Sequence, residues 1–258
     1  MGKAETFREL HEGDPFVLPN PWDAGSAKVL AKLGFKALAS TSSGFAFTLG
    51  RRDGDVALAD VIAHTAELDR ATELPVSIDL EHGYGPEPED AARAIAEAAA
   101  AGAVGGSIED YDPEGRIYDH GHAAERIAAA AEAARALDFP FMLTGRAENH
   151  IRGNPDLDDT VARLQAYERA GADVLYAPGL STVEEIRAVC AALSKPVNVL
   201  ARPSLTMREI IDAGAQRVSV GGALAWVAVA GLIAAAQDIR DRGDFSALAD
   251  GVQIDDWL

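Results

Sequence analysis

The sequence predicts a closed barrel of eight alternating β-strands and α-helices, a (β/α)8 or TIM-type barrel, formed as one domain by residues 1–258. The length of 258 residues is close to the roughly 250 residues typical of this fold. Eight short apolar runs are each followed by a segment with helical periodicity. Four helices end at a glycine, the residue preferred for helix termination, immediately before the next run: Gly34, Gly102, Gly171 and Gly214.

The predicted strands follow one another at regular spacing along the whole chain. They are residues 16–20, 37–41, 76–80, 106–109, 141–146, 174–177, 197–201 and 217–220. Two intervening helices are especially regular, at residues 89–101 and 123–137. A doubly wound open sheet is the competing prediction. That fold usually has fewer strands and a glycine-rich turn after the first strand, and the segment LPNPWDAG at 18–25 is not such a turn.

Composition restricts the function. The net charge is −18, from 41 acidic and 23 basic residues, which disfavours nucleic acid and anionic membranes as partners. Cys190 is the single cysteine and excludes an intrachain disulfide or a cysteine metal cluster. The longest apolar stretch, residues 223–236, is too short to span a bilayer and is predicted to be a buried helix. We therefore expect a cytoplasmic protein.

Acidic side chains follow neighbouring predicted strands at the barrel end where such folds carry their active sites. Asp79 and Glu81 end strand three on one face, Glu109 ends strand four, Arg146 ends strand five, and Asp53 lies in the loop after strand two. Converging carboxylates repel each other unless a cation lies among them. Oxygen ligands without histidine or cysteine favour Mg²⁺ or Mn²⁺. The alternative is that Asp79 and Glu109 cap helices or pair with Arg146.

Four segments resemble a known group of enzymes. They are GFKALASTSSGFAFTLGRRDG (34–54), SIDLEHGYG (77–85), GSIEDYD (106–112) and TGRAENH (144–150). In this order and spacing they resemble the isocitrate lyase/phosphoenolpyruvate mutase superfamily, over about residues 18–230. The resemblance implies a barrel that requires Mg²⁺ and that cleaves or forms a C–C or P–C bond next to a 2-oxo acid or its enolate.

The resemblance also implies roles for the acidic residues. Asp79 resembles the direct metal ligand, and Glu81 and Glu109 resemble the acids that hold metal-bound water. Asp53 resembles a loop acid near the metal and is a candidate catalytic residue. The implied cofactor is therefore Mg²⁺, or Mn²⁺ in its place.

Further positions resemble the substrate-binding part of the family's site. Arg146 resembles the residue that binds the substrate carboxylate. The backbone N–H groups of Ser43, Gly44 and Phe45 resemble a segment that binds the same carboxylate, and Asn198 matches a polar position near the substrate. The implied partner is a small 2-oxo acid.

The chain departs from the family in the loop that follows strand four. Family lyases carry a cysteine in this loop, which acts as the acid that protonates the departing fragment. Residues 111–122 contain no cysteine. Cys190 lies elsewhere, in a helical segment with an apolar face. Strand six ends LYAPG, without the histidine of the phosphono-group members. Tyr118 is the remaining candidate proton donor in the loop, and His120 and His122 are better explained as solvated or capping residues. These differences argue against an isocitrate or methylisocitrate lyase and against a phosphonomutase.

The sequence thus predicts an Mg²⁺-dependent enzyme that cleaves or forms a C–C bond next to a small 2-oxo acid, with oxaloacetate decarboxylation as the simplest reaction. Two alternatives stay open: a class II aldolase-type barrel, and a non-catalytic member that binds 2-oxo acids. Residues 223–239 are apolar on nearly every face. By resemblance, this last helix is expected to be exchanged between subunits of a homo-oligomer, a dimer or a tetramer.

Overall fold

The protein is described here by a computed structural model that covers residues 2–112 and 114–258. Its strands are β1 (Phe16–Leu18), β2 (Leu38–Ala39), β3 (Val76–Asp79), β4 (Gly105–Glu109), β5 (Met142–Arg146), β6 (Val174–Tyr176), β7 (Val197–Leu200) and β8 (Arg217–Ser219). They form one parallel sheet in the order β1-β8-β7-β6-β5-β4-β3-β2. The Ala39 N–H donates to the Pro19 carbonyl at 3.0 Å and links the two ends of the sheet. The predicted (β/α)8 barrel is confirmed.

Helices alternate with the strands. They are α1 (Lys3–Glu12), α2 (Ala24–Lys32), α3 (Ser42–Thr48), α4 (Leu58–Ala71), α5 (Pro88–Ala100), α6 (His120–Arg135), α7 (Leu157–Ala170), α8 (Val183–Ala191), α9 (Met207–Asp212) and α10 (Ala223–Arg242). Two 3-10 turns follow, at Ser246–Asp250 and Ile254–Asp256.

Each predicted strand has a counterpart, but most of the observed strands are shorter. The prediction for the sixth helix is displaced, since α6 begins at His120 instead of residue 123. The Asp119 side chain accepts the N–H groups of Gly121 and His122, so it caps the helix three residues earlier than expected. The short helix α3, which lies inside a predicted loop, was not anticipated.

The two faces of the strands differ in chemistry. Outward-facing side chains are buried between the sheet and the helices: Leu38, Ile78, Ile108, Leu143, Leu175, Val199 and Val218. Inward-facing side chains at the carboxyl end are polar and line a cavity. The amino end of the barrel is closed by α1, whose Phe7 side chain is fully buried. The main hydrophobic core therefore surrounds the barrel, a smaller apolar cluster lies at its amino end, and polar side chains concentrate toward the carboxyl end of the lumen.

The expectation of a buried final helix is wrong for the single chain. In α10 only Ala225 is buried, and Val227 and Leu232 are 70% and 66% exposed. At 20 residues α10 is also longer than the apolar stretch 223–236, and it is long and apolar enough to cross a membrane by length and composition alone. Such a single helix is weak evidence for a membrane protein. Among the described residues no other helix or strand packs extensively against α10, so its apolar faces stay exposed in the single chain. Its exchange between subunits stays a prediction.

Candidate active site

The carboxyl ends of the strands surround an opening into the barrel. A cavity of 190 Å³ runs from this mouth into the lumen. A second recess, of 380 Å³, lies beside it and is lined mainly by charged residues. Ser42, Asp53 and Arg146 line both. The mouth therefore consists of two connected parts.

Arg146 lies at the centre of the predicted acid cluster. Its Nη1 is 3.1 Å from Glu109 Oε2 and 3.7 Å from Asp79 Oδ1, and its Nε donates to Glu148 Oε1 at 2.5 Å. The β4–β5 register places Glu109 directly opposite Arg146. Burial opposes the charge on Arg146, but Glu109, Glu148 and Asp79 outweigh it and hold the pKa of the guanidinium well above its ordinary value. The pairing of Asp79 and Glu109 with Arg146, which the sequence left open, is present.

Asp79 is fixed by neighbouring donors. The Ser42 N–H donates to Asp79 Oδ2 at 3.3 Å, while the Ser107 hydroxyl and the Glu81 N–H donate to Oδ1 at 3.2 and 3.3 Å. The Asp79 N–H in turn donates to Ser40 Oγ at 2.8 Å. These contacts come from three different segments and hold the carboxylate at the mouth.

The turn after β3 has an unusual backbone. Glu81 and Tyr84 have φ values of +47° and +62°, and within residues 2–112 and 114–258 they are the non-glycine residues with positive φ. Such conformations cost about 1–3 kcal/mol each and concentrate at functional sites. The Tyr84 hydroxyl donates to Glu81 Oε1 at 3.0 Å and orients this carboxylate. The strained turn thus directs Glu81 toward the recess that Glu109 and Asp53 also line.

The acid cluster has a deficit of positive charge. Burial raises the pKa of Glu81 to about 7, and the neighbouring Asp79 contributes to the rise. Burial also raises the pKa of Glu109 well above its ordinary value, although Arg146 opposes this shift. The pKa of Asp53 rises for the same reason, with Asp79 adding to the effect. A cation would relieve this repulsion.

The donor chemistry fits a hydrated divalent cation. Among the described residues, no three His, Cys, Asp or Glu side chains converge on one point that could hold a metal ion. Mg²⁺, however, usually retains several waters and is bound through one or two carboxylates. Asp79 as the direct ligand, with Glu81, Glu109 and Asp53 around the water shell, matches that chemistry.

The amino end of α3 lies at the rim of the cavity. Thr41 caps the helix, and its oxygens accept the N–H groups of Gly44 and Phe45 at 3.4 and 3.0 Å. Ser42 and Ser43 line the cavity, whereas the Phe45 ring stacks on His64 at a centroid distance of 3.9 Å. The resemblance implies that the N–H groups of Ser43, Gly44 and Phe45 bind a carboxylate. The structure places Ser43 at the cavity, whereas the N–H groups of Gly44 and Phe45 donate to Thr41.

Asn198 lines the deeper part of the cavity but is already hydrogen-bonded. Its Nδ2 donates to Ser219 Oγ at 2.9 Å and its Oδ1 accepts from Arg217 Nε at 2.8 Å. Tyr118 lies outside both parts of the mouth. Its ring packs under the guanidinium of Arg126, 4.9 Å from ring centroid to Cζ, and lines a separate shallow recess. The structure therefore does not bring Tyr118 to the acid cluster.

Known proteins are similar to this chain in sequence and in architecture. A family model described as phosphoenolpyruvate phosphomutase matches residues 7–240. The chain belongs to the phosphoenolpyruvate mutase/isocitrate lyase superfamily. A structure from Burkholderia cenocepacia described as a lyase/mutase is 49% identical, with a TM-score of 0.96 over 99% of this chain and 95% of the other.

Two further relatives are named after the reactions that they catalyse. Oxaloacetate decarboxylase of Rhodopseudomonas palustris is 29% identical over 96% of this chain and 90% of its own length. The structure of oxaloacetate acetylhydrolase in complex with oxalate is 25% identical, with a TM-score of 0.89 over 98% of this chain and 92% of that chain. The superfamily comprises C–C lyases and mutases, and this chain is an enzyme of that type.

Two residues of the lumen in this superfamily member, Tyr176 and Arg217, were not among the predicted site residues. Tyr176, on β6, pairs in register with Arg146, whose guanidinium lies over its ring at 5.4 Å. Arg217 begins β8 and lies at the inner end of the cavity. Both residues stand at inward-facing positions of their strands. They alternate with the buried apolar Leu175 and Val218, and this alternation in the sequence indicates that Tyr176 and Arg217 face the lumen.

The remaining expectations concern residues away from the mouth. His120 Nε2 lies 2.6 Å from Asp159 Oδ1 and His122 Nε2 lies 2.8 Å from the Pro86 carbonyl, both on the first turn of α6. The two rings contact different partners and form no metal pair. Cys190 lies on α8, where burial raises the pKa of its thiol to about 11, and it does not line the cavity or the acidic recess.

Proposed function

We propose that the protein is an Mg²⁺-dependent enzyme that cleaves the C–C bond adjacent to the 2-oxo group of a small 2-oxo acid, with oxaloacetate as the first substrate to test. The observation that carries the proposal is the position of Arg146, a guanidinium held at 2.5–3.7 Å from three acids in a barrel mouth. The names of the relatives point to the same chemistry.

Asp79, Glu81, Glu109 and Asp53 would hold the metal in its water shell. When bound, Mg²⁺ (or Mn²⁺) supplies the positive charge that polarises the 2-oxo group and stabilises negative charge on its oxygen. The strained turn at Glu81 and the donors around Asp79 fix these carboxylates before any ligand arrives. Such preorganisation avoids a reorganisation cost during reaction.

Arg146 binds the carboxylate next to the 2-oxo group. Arg146 lines both parts of the mouth, while Glu148 holds its Nε edge. The Ser43 N–H lies at the helix amino terminus on the rim and has no acceptor among the described residues, so it supplies a second donor. Together these groups orient the substrate with its cleavable bond toward the lumen.

Tyr176 supplies the proton that the reaction needs. In decarboxylation the C3–C4 bond breaks, its electron pair forms the C2–C3 double bond of an enolate, and CO₂ leaves. The Tyr176 hydroxyl then donates its proton to C3 and recovers one from solvent. Burial raises the pKa of Tyr176 to about 12, so the phenol is protonated at neutral pH. Tyr118, in its separate recess, has no part in this step.

The absence of a cysteine from residues 111–122 limits the reaction. Lyase chemistry on an isocitrate needs an acid that protonates the departing dicarboxylate, whereas CO₂ departs without a proton. We therefore propose that isocitrate and 2-methylisocitrate are very poor substrates. We also propose a cytoplasmic location and a homo-oligomeric state.

A panel of 2-oxo acids assayed with Mg²⁺, with pyruvate, CO₂, glyoxylate, oxalate and acetate as measured products, tests the proposal. We expect turnover of oxaloacetate or a close analogue that EDTA abolishes and Mg²⁺ restores. Pyruvate with CO₂ identifies a decarboxylase, and oxalate with acetate identifies a hydrolase. Turnover indifferent to EDTA, or efficient release of glyoxylate from isocitrate, would contradict it.

A further inference from the structure

The lumen below the mouth has an unusual composition for this fold. Barrels of this type are normally filled by bulky branched side chains. Here several inward positions that line the cavity are small or polar: Ala39, Ser77, Ser107, Asn198 and Ser219. The 190 Å³ cavity therefore extends from the mouth down to Arg217. A space of this size and polarity accommodates a small hydrophilic group.

Arg217 is a buried cation whose protein partners are all neutral. It is 4% exposed, and its Nε, Nη1 and Nη2 lie 2.8, 3.1 and 3.0 Å from Asn198 Oδ1, His11 Nε2 and Thr144 Oγ1. His11 Nδ1 donates to the Phe7 carbonyl at 2.8 Å, which leaves Nε2 as an acceptor. Burial and the adjacent Arg217 lower the pKa of His11 to about 3, so His11 is neutral.

The charge of Arg217 is not compensated within the described residues. None of their carboxylates forms an ion pair with it, in contrast to Arg146 and Arg163. Burial lowers its pKa only to about 10, so it remains a cation at neutral pH. A buried charge without a partner is strongly unfavourable. A guanidinium carries five N–H donors, and the contacts of Arg217 use three, so two have no acceptor among the described residues.

Arg217 and Arg146 point into one lumen from different walls. The sheet register links Arg146 to Tyr176, Tyr176 to Asn198 and Asn198 to Arg217, so the two arginines lie three strands apart in an eight-stranded barrel. Arg146 ends its strand and lies at the rim, whereas Arg217 begins its strand and lies toward the floor. One small molecule that enters the cavity therefore meets a cation at each end.

We propose that Arg217 is a second carboxylate-binding residue, which selects 2-oxo dicarboxylates over 2-oxo monocarboxylates. The carboxylate next to the 2-oxo group binds at Arg146, and the other carboxylate binds the two open N–H groups of Arg217. This inference rests on the proposed function for the orientation of the substrate. The arrangement supplies the missing counter-charge only when a dianionic ligand is bound.

Arg217 contacts the second carboxylate already in the enzyme–substrate complex, before any bond breaks. An interaction that is equally strong or weaker in the transition state affects KM more than kcat. Loss of Arg217 should therefore raise KM for a dicarboxylate with a smaller change in kcat. A purely structural role would instead lower stability without discriminating between ligands.

Binding of two ligands that cannot be decarboxylated tests the proposal on the wild-type protein. Malate and 2-hydroxybutyrate differ by one carboxylate in place of a methyl group, and neither carries the ketone that decarboxylation requires. Titration calorimetry with Mg²⁺ present should show malate binding at least about 10-fold more tightly, the effect of one charge-assisted contact. Equal affinities would overturn the proposal. Because calorimetry measures binding and not oxaloacetate turnover, this result is independent of whether oxaloacetate is cleaved.

Two variants locate the preference. Arg217→Gln should reduce malate affinity about 10-fold or more and leave 2-hydroxybutyrate within about 3-fold. Arg135→Gln is the control, since Arg135 donates to the Gly171 carbonyl on the outer surface of the barrel and lines neither part of the mouth. It should keep the wild-type ratio of the two affinities. Retention of the malate preference in Arg217→Gln would overturn the proposal.

A third variant covers the case in which Arg217→Gln fails to fold. Ser77→Val adds volume inside the cavity without removing the charge, because Ser77 is a buried lining residue. It should weaken malate binding at least about 10-fold more than 2-hydroxybutyrate binding, since the apolar side chain excludes a carboxylate. An unchanged ratio in a folded Ser77→Val protein would count against a second carboxylate in the lumen.

Discussion

Glu148 accepts the Nε–H of Arg146 at 2.5 Å from a position with no solvent exposure. Its second oxygen accepts Arg152 Nε at 2.8 Å, and its own N–H donates to Asp110 Oδ1 at 2.8 Å. Asp110 is held in turn by the Tyr167 hydroxyl at 2.5 Å. Glu148 therefore fixes the orientation of the guanidinium that we propose binds substrate.

Replacement of Glu148 by glutamine should loosen that orientation. The amide can accept from only one of the two arginines, and its NH₂ group opposes the other, which costs about 1–3 kcal/mol. We expect KM for the 2-oxo acid to rise about 10–100-fold, with a smaller fall in kcat. Steady-state kinetics measure this, and the exposed Glu132→Gln on α6 is the control. A kcat-only effect would show that Glu148 does not position the binding group.

Removal of the proposed metal ligand Asp79 should abolish activity but preserve the fold. Asp79→Ala leaves Glu81 and Glu109 around an incomplete site, so Mg²⁺-dependent turnover should be lost. Asp79 lies in the mouth and not in the hydrophobic core, and we expect circular dichroism to be unchanged. Asp69→Asn is the control, because Asp69 pairs with Lys3 at 2.7 Å near the end of α4, at the opposite face of the barrel. Full turnover in Asp79→Ala would refute the proposed metal site.

Two tyrosines can be compared as proton donors. Tyr176→Phe removes only a hydroxyl, and we expect kcat to fall about 10²–10⁴-fold, the usual contribution of a general acid. KM should change less, because the ring beside Arg146 is kept. Tyr118→Phe should have little effect, since its ring lies in another recess. The opposite pattern, with Tyr118→Phe inactive, would make the loop tyrosine the donor.

His64 should make the protein sensitive to acid. Burial lowers the pKa of His64 to about 4, and the nearest charged groups are Asp23, which opposes the shift, and Glu67, 4.0 Å away. An unfolded histidine has a pKa near 6.5. Below pH 6.5 the unfolded chain therefore binds a proton that the folded chain does not, and stability falls until about pH 4.

Replacement of His64 by phenylalanine should remove the loss of folding stability that His64 causes below pH 6.5. Both ring nitrogens of His64 are buried without a hydrogen-bond partner, and a phenyl ring can keep the stack on Phe45. Relative to wild type, His64→Phe should gain about 1–2 kcal/mol more stability at pH 5 than at pH 8. Urea denaturation at the two pH values measures the difference. An equal effect at both would mean that His64 titrates normally in the folded state.

The exposed face of α10 should be covered in a homo-oligomer. Trp226 contacts Phe47 at 5.7 Å between ring centroids, and both side chains remain more than 40% exposed, as does Val227. A continuous apolar helix face of this kind is typical of a subunit interface. Light scattering at micromolar concentration should show a dimer or tetramer, and Val227→Glu should dissociate it. Leu33→Glu, at another exposed apolar position, should leave the assembly intact. A monomeric wild-type protein would contradict the prediction.

Much of the architecture follows from the sequence. Alternating strand and helix patterns with glycine stops such as Gly102 and Gly171 depend on local conformational preferences, which neighbouring residues determine. The proximity of Asp79, Glu109 and Arg146 could also be predicted. Parallel strands bring their carboxyl ends to one edge, so residues that end β3, β4 and β5 meet wherever this topology forms.

Other features were decided only by the tertiary structure. Tyr118 and Tyr176 carry the same group, but the loop places one ring under Arg126 and the strand places the other beside Arg146. Arg217 is one of many arginines in the sequence, and it becomes an uncompensated buried cation only because barrel closure surrounds it with neutral side chains. Burial and the loss of counter-charge arise from segments distant in the chain, and no local pattern encodes them.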